Sequence, residues 1–387
     1  MFRARPAHFP RRLPRPALSA AYRLVRPLLF RLDAEAAHGL GSTAAGVGQR
    51  VPGVVRALVG AEAEAGLAQT VWGLPFRSPV GLAAGFDKNA RLVRFWEALG
   101  LGWVDVGSVS NEAAPGNPRP RAFRLPADGA LVNRMGLNND GAAAVAARLA
   151  GRARVPGFVV SVNVAKTHRA AGHPAARALD GAAGIEDVRQ AVARLLPVAD
   201  VLTVNVSCPN TADGRTFETP DALDALLAAV APMRDAHAAR RVPLLVKLSP
   251  DAADVPALVA VALGHGADGF VAANTAAGRD GLRTGAAEIA RIGRGGLSGR
   301  PLAARSLAMV RALYRETGGR VPLVGVGGID SAEAAYARIR AGASLVQLYT
   351  ALVYEGPGVV RAVTRGLAER LDRDGFGSVA EAVGVDA

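Results

Sequence analysis

The chain has 387 residues, half of them hydrophobic and a fifth charged, with 45 glycines and 24 prolines; this excludes a disordered, collagenous or coiled-coil protein. Its formal charge of +13 is concentrated, because residues 1–31 carry eight arginines and no acid, and without aromatic–basic interleaving it gives no case for nucleic-acid binding. One cysteine, Cys208, excludes a disulfide framework or a thiolate metal centre, and the lack of any apolar run of about 18 residues argues against a membrane-spanning helix.

The chain opens on a basic arm over residues 1–21, kept irregular at its start by Pro6, Pro10, Pro14 and Pro16. No uninterrupted apolar stretch follows the arginines, so a cleaved secretory signal is a poor reading. The arm runs into Tyr22–Phe30 (YRLVRPLLF), a pattern that suits an anionic membrane surface. A solvated, frayed terminus fits those residues equally well. Residues 22–70 read as a small, Ala-rich, amphipathic helical element.

From residue 71 to 387 a regular alternation sets in. Apolar and β-branched runs at Val80–Gly85, Trp103–Val109, Phe158–Val164, Val201–Ser207, Pro243–Ser249, Gly269–Thr275, Pro322–Gly328 and Leu345–Thr350 predict strands. Helical patterns lie at Asn89–Leu99, Asp140–Ala150, Glu186–Leu196, Asp221–Ala236, Ala252–Leu263, Pro301–Glu316, Ala332–Ala341 and Gly358–Leu371. Strands apolar on both faces, each paired with a helix, predict a parallel α/β fold. Eight such units fit a closed (β/α)8 TIM barrel. A doubly wound sheet is the weaker alternative, since no strand-linked GxGxxG is present.

Three connections are longer than barrel loops require: Ser110–Asn139, expected to form a short β excursion, Cys208–Pro220, and Ala276–Arg300. All leave the carboxyl ends of strands, where barrel enzymes build their sites. Only three of the 46 basic residues are lysine, and Lys88, Lys166 and Lys247 each lie at or just past a predicted strand end. A chain that otherwise uses arginine keeps lysine where a compact point charge is needed. Chance and local packing are the bland account, and Lys166 fits it best. Asn163, Asn205, Asn210 and Asn274, with Asn133 in the first long loop, offer donors and acceptors suited to a flat heterocycle with imide groups; singly, each also fits a cap or loop. Gly295–Gly299 precede a predicted helix, Gly325–Gly328 end strand seven, and Tyr349 and Thr350 end strand eight. Barrels bind phosphate there through exposed glycine N–H groups.

The motifs GLAAGFDKN (Gly81–Asn89), GNPRPRAFRLP (Gly116–Pro126), NRMG (Asn133–Gly136), NVSCPNT (Asn205–Thr211), VKLSPD (Val246–Asp251), GGLSGRPL (Gly295–Leu302), VGVGGIDS and AGASLVQLYTAL together resemble the dihydroorotate dehydrogenase family, the FMN enzymes of pyrimidine synthesis. The stretch DAEAAH at Asp33–His38 is similar to the helical element of the family's membrane-associated, quinone-reducing class. The resemblance implies oxidation of (S)-dihydroorotate to orotate with a quinone as acceptor, by a protein bound peripherally at the cytoplasmic side of the cell membrane, with no metal. It implies that Ala84, Gly85, Lys88, Ser108, Asn163, Asn205, Lys247, Gly299, Gly328, Tyr349 and Thr350 line FMN. Lys88, Asn133, Arg134, Met135, Gly136, Leu137, Asn205, Asn210, Asn274 and Thr275 would hold the substrate, and His38, Arg124 and Tyr349 would lie near the quinone. Lys88 suits the substrate carboxylate, and Lys247 suits the negative charge of a reduced flavin.

The chain departs from the quinone class at several positions. Cys208 stands where that class carries a serine base, and Leu137 replaces a phenylalanine after NRMG. Ala273 replaces a flavin-contacting threonine, Ser110-Asn111-Glu112 a Thr-Pro start, and VAKTH the form IGK(N/T)K, followed by the insertion RAAGHPAARALDG. A thiol with a reference pKa near 8.5 is about 3% thiolate at neutral pH, whereas serine needs a proton relay. Cys208 is therefore expected to remove the substrate C5 proton, against the bland account of a small buried residue. The departures leave a second reading open: an FMN dehydrogenase of the same fold acting on another cyclic imide or amide, or using another acceptor. An isomerase barrel leaves the cysteine loop and lysines unexplained, and a membrane scaffold leaves the strand-end amides unexplained.

Overall fold

The structure, a computed structural model, describes residues 17–61, 64–169, 179, 181–207, 216–237 and 240–387. In chain order the strands are β1 (Gln69–Val71), β2 (Leu74–Phe76), β3 (Val80–Leu82), β4 (Trp103–Val109), β5 (Ala122–Leu125), β6 (Ala130–Asn133), β7 (Val159–Val164), β8 (Val201–Asn205), β9 (Leu244–Leu248), β10 (Gly269–Ala272), β11 (Gly296–Gly299), β12 (Leu323–Val326) and β13 (Ala343–Leu348). Strands β3, β4, β7, β8, β9, β10, β12 and β13 close a barrel of parallel neighbours, with β13 returning to β3. The expected (β/α)8 barrel is what forms. Alternation along each strand makes two cores: Val159, Val201, Leu245, Val271, Val324 and Leu345 fill the interior, while Val104, Val162, Leu202, Val246 and Phe270 pack outward under the helices.

The helices are α1 (Ala17–Leu29), α2 (Ala34–Gly48), α3 (Pro52–Val59), α4 (Val93–Ala98), α5 (Ala142–Ala150), α6 (Gly181–Leu195), α7 (Pro220–Asp235), α8 (Val255–Gly264), α9 (Ala286–Ile292), α10 (Ala303–Thr317), α11 (Ala332–Arg340), α12 (Thr350–Glu355), α13 (Val359–Arg373) and α14 (Val379–Ala382). Helix α1 begins at Ala17, inside the stretch expected as arm, and residues 1–16 lie outside the described residues. Asp33 caps α2 by accepting from the N–H groups of Glu35 and Ala36. Helix α4 starts four residues later than the pattern predicts, because the Asp87 carboxylate takes the N–H groups of Arg91 and Leu92, both at 2.9 Å. Ala90 is left-handed at φ 54°, which keeps that turn out of a helix.

Several barrel strands end earlier than their apolar runs. β3 stops at Leu82, β8 at Asn205, β10 at Ala272, and β13 at Leu348, where α12 takes over. Residues of the same apolar character continue past the ladder into the mouth, so composition alone extends the strands too far. At the opposite end, the β1–β2 hairpin seals the barrel floor. Phe76 meets Trp103 edge-on with ring centroids 6.2 Å apart, and the Trp103 indole N–H donates to the Pro79 carbonyl at 3.2 Å. Gly81 must be glycine here: a Cβ would stand 2.3 Å from Trp103 Nε1.

That contact gives a prediction. Gly81→Ala forces Trp103, only 1% exposed, out of its seat and is expected to destabilise the chain by about 1–3 kcal/mol. Thermal unfolding should show a clearly lower midpoint, whereas an unchanged midpoint would contradict the packed floor.

Candidate active site

The catalytic end of the barrel is roofed by a three-stranded sheet. β5 and β6 pair antiparallel, and β11 joins β6 through the register Gly296↔Asn133 to Gly299↔Ala130. Gly296–Gly299 of the GGLSG segment thus form a strand, and Gly299 lines the cavity described next. Its glycines serve close approach: a Cβ on Gly299 would meet the Gly129 carbonyl at 2.4 Å, and one on Gly296 would meet Thr275 Oγ1 at 2.0 Å. Between this roof and the barrel lies a cavity of about 570 Å³, lined by Ala84, Gly85, Lys88, Ser108, Asn205, Lys247, Asn274, Ser298, Gly299, Gly328, Tyr349 and Thr350 among others.

Its floor is a continuous polar layer inside an otherwise apolar barrel. Asp105, fully buried on β4, accepts from Ser161 Oγ at 2.8 Å and from Asn163 Nδ2 at 3.1 Å. Ser108 Oγ donates to Asn163 Oδ1 at 2.5 Å, and Asn205 Nδ2 donates to Ser108 Oγ at 2.9 Å. Asn274 Nδ2 reaches Asn205 Oδ1 at 3.3 Å and Ser207 Oγ at 3.0 Å. Ser207 Oγ in turn donates to the Lys247 carbonyl at 2.9 Å. Burial pushes the Asp105 carboxyl upward, and the Lys247 charge is the largest opposing influence. Gln347, also buried, faces Asp105 without reaching hydrogen-bond geometry, so both amide atoms are left without partners, as is Thr275 Oγ1. Unmet buried polar atoms on a cavity floor are groups a polar ligand would satisfy.

Beside it is a second cavity of about 610 Å³, largely apolar, between the barrel and α1–α3. The two share Phe30, Lys88, Asn133, Met135 and Tyr349 as walls. Lys88 Nζ donates to the Gly85 carbonyl at 2.8 Å, and burial lowers its pKa to about 8, leaving it mostly charged at neutral pH. Burial raises the Tyr349 hydroxyl to about 12. His38 and Arg124 line the second cavity. Arg124 donates to the Leu29 carbonyl at 3.0 Å and also to Leu32, holding the end of α1. Glu35 on α2 accepts from Arg121 Nε at 3.0 Å and Nη2 at 2.7 Å, and from Arg119 at 3.0 Å. The sequence reading did not single out this clamp.

Most of the expected site residues that are described converge on these cavities, and two, Asn163 and Arg134, do not. Asn163 lies one layer below the cavity, under Ser108. Arg134 turns away, donating to Arg294 and lying 4.6 Å over the Phe123 ring. Cys208 and Asn210 fall outside the described residues. Lys166, the third lysine, sits against Thr216 and Phe217 and lines neither cavity. Asp105 and Gln347 were missed, although an acid in the middle of WVDVGSV is a visible anomaly in a buried strand.

Comparison with known proteins gives a consistent result. The family model described as dihydroorotate dehydrogenase matches residues 66–371. A dihydroorotate dehydrogenase (quinone) of Deinococcus deserti is 48% identical over 375 residues, covering 94% of this chain and 99% of that protein. One of Nocardia farcinica is 45% identical over 370 residues, covering 94% and 97%. The ligand-free dihydroorotate dehydrogenase structure from Eimeria tenella superposes with a TM-score of 0.75 at 33% identity, covering 88% of this chain and 98% of that one.

His38 offers a pH test of the second cavity. Burial, then the Lys88 charge, lowers its pKa to about 4, against about 6.5 in an unfolded chain. Between those values the unfolded state binds more protons, so stability is lost as pH falls from 6.5 toward 4. His38→Gln should flatten that part of the urea-midpoint profile. A variant with the wild-type pH slope would place the imidazole in water.

Proposed function

The chain belongs to the dihydroorotate dehydrogenase family, and from that premise we propose that it is an FMN enzyme oxidising (S)-dihydroorotate to orotate with a quinone as electron acceptor. The observation that carries this reading is the meeting, at Lys88 and Tyr349, of a cavity with a hydrogen-bonded polar floor and a second, largely apolar cavity. One suits a flavin and an anionic imide, the other a quinone with its hydrocarbon tail. The unmet Gln347 amide and Thr275 hydroxyl fit a heterocycle rich in donors and acceptors. Gly328 lines the first cavity pressed against the start of α10, where a Cβ would meet Ala303 Cα at 2.6 Å, and a glycine N–H beside a helix N-terminus suits a phosphate. Lys247, Gly299 and Gly328, which line the first cavity, would hold FMN, and the bound flavin would supply a hydride acceptor for the substrate and an electron donor for the quinone.

The protein's own groups supply charge and proton transfer. Lys247 gives the positive charge that an anionic reduced flavin needs. Lys88, with Asn133, Asn205, Asn274 and Thr275, binds and orients dihydroorotate. Cys208 follows Ser207, which is anchored to the Lys247 carbonyl, and we assign it the removal of the C5 proton. His38, Arg124 and Tyr349 border the quinone. Purified protein should be yellow; anaerobic dihydroorotate should bleach the flavin and a soluble quinone restore it. Cys208→Ala should slow bleaching by about 10²–10⁴-fold while reoxidation by quinone is unaffected. Bleaching at the wild-type rate would assign the base elsewhere.

We further assign the N-terminal element to a membrane surface. Among the described residues no helix is long and apolar enough to cross a membrane. Yet among the described residues nine of the ten exposed large hydrophobic side chains fall between Leu24 and Leu58, with Leu24 80% and Leu28 62% exposed. Such a concentrated apolar face, flanked by Arg23, Arg31 and Arg50, suits shallow insertion into anionic lipid. It also sets the mouth of the apolar cavity where quinones dissolve. Leu24→Glu with Leu28→Glu should abolish co-sedimentation with anionic liposomes and leave flavin bleaching by dihydroorotate intact. Undiminished liposome binding would move the membrane contact elsewhere.

A further inference from the structure

Behind the glycine loop of β12 lies a cation outside the machinery described so far. Arg338, on α11, is 3% exposed. Its stem crosses the outer side of β12, where its Cγ would lie 3.0 Å from a Cβ on Gly325; glycine there makes the room. Nη2 donates to the carbonyls of Gly327 at 2.9 Å and Ala303 at 2.8 Å, and Nη1 to Ala334 at 3.1 Å. Nε has no acceptor. Among the described residues no carboxylate pairs with Arg338. Asp330, the one acid whose charge reaches it, is bonded to Arg300 at 2.6 Å.

A buried guanidinium without a counter-ion is expensive and is retained only where something compensates it. The carbonyls it holds indicate what. In a trans peptide the C=O and the following N–H point in opposite directions. With the Gly327 carbonyl drawn toward Arg338, the Gly328 N–H is turned the other way, toward the cavity. The preceding peptide is fixed similarly: Val326 O accepts from Ser306 Oγ at 2.6 Å and from the Ala273 N–H at 3.1 Å, which turns the Gly327 N–H. Ala303 opens the fifteen-residue helix α10, whose N-terminus adds positive potential at the same place.

We infer that Arg338 is a positioning residue for the cofactor phosphate: it sets the Gly327–Gly328 amides toward the phosphate and supplies the buried positive charge that makes the site prefer FMN over riboflavin. The inference rests on the FMN reading above, and deepens it. Burial lowers the Arg338 pKa only to about 10, so the charge is present at neutral pH.

The test uses the full chain freed of flavin, titrated with FMN and with riboflavin by flavin fluorescence at low and high salt. Wild type should prefer FMN, and added salt should weaken that preference. Arg338→Met, which keeps the stem, should lose at least about tenfold in FMN affinity with riboflavin affinity little changed, and Arg338→Lys should recover part of the loss. If FMN and riboflavin weaken together, or FMN affinity is unchanged, Arg338 serves packing alone and the inference falls. Should the Met variant not fold, Arg338→Gln keeps one donor to Gly327, and its FMN-to-riboflavin ratio is judged by the same criteria. A wild-type chain that binds neither flavin overturns the FMN reading itself, and this inference with it.

Discussion

A closed barrel of parallel strands has a dry interior, and a carboxyl group placed in it must be fully accommodated or it unfolds the barrel. Asp105 is that group, and the polar floor of the site is arranged around it. Ser161 and Asn163 satisfy its oxygens, which fixes the Asn163 amide. Asn163 then orients Ser108, Ser108 orients Asn205, and Asn205 meets Asn274. The bonds cross from β4 to β7 and from β4 to β8, so the network also locks the register of these three strands. Positional precision at the mouth thus derives from one buried acid and the Lys247 charge that offsets its burial.

Lys88 and Lys247 face the first cavity as point charges, and Arg26 and Arg300 border it, while other arginines of the chain do different work. Arg121 grips Glu35 through two donors, Arg124 holds carbonyls at the end of α1, and Arg338 holds three at once. A planar fork suits such multiple bonding, and a compact ammonium suits a point charge facing a reacting group. The division of labour between the residue types follows from their shapes.

Much of this was legible in the sequence. Strands buried on both faces leave continuous apolar runs, and eight of them stood out. Their ends did not, because Ala83 and Ala84 are as apolar as the ladder residues before them. β11 was hidden because glycine has no side chain to show a period of two, and α12 because it continues directly from an apolar strand. The lysine count located Lys88 and Lys247 but also Lys166, whose place against Phe217 depends on tertiary packing. Glu35 pairs with a residue 86 positions away, a distance no local pattern spans. Arg338 was one arginine among many until its carbonyl partners were visible.

The helical element is attached to the barrel by two kinds of force. Helix α3 is seated by apolar burial, with Val55 7% and Val59 1% exposed. Helices α1 and α2 are held by the guanidinium contacts of Arg26, Arg119, Arg121 and Arg124. Apolar contacts strengthen in excluded salts such as sulfate, whereas partly exposed ion pairs weaken as ionic strength rises. One edge of the element therefore behaves as a hinge and the other as a latch, and the same solute tightens the first while loosening the second.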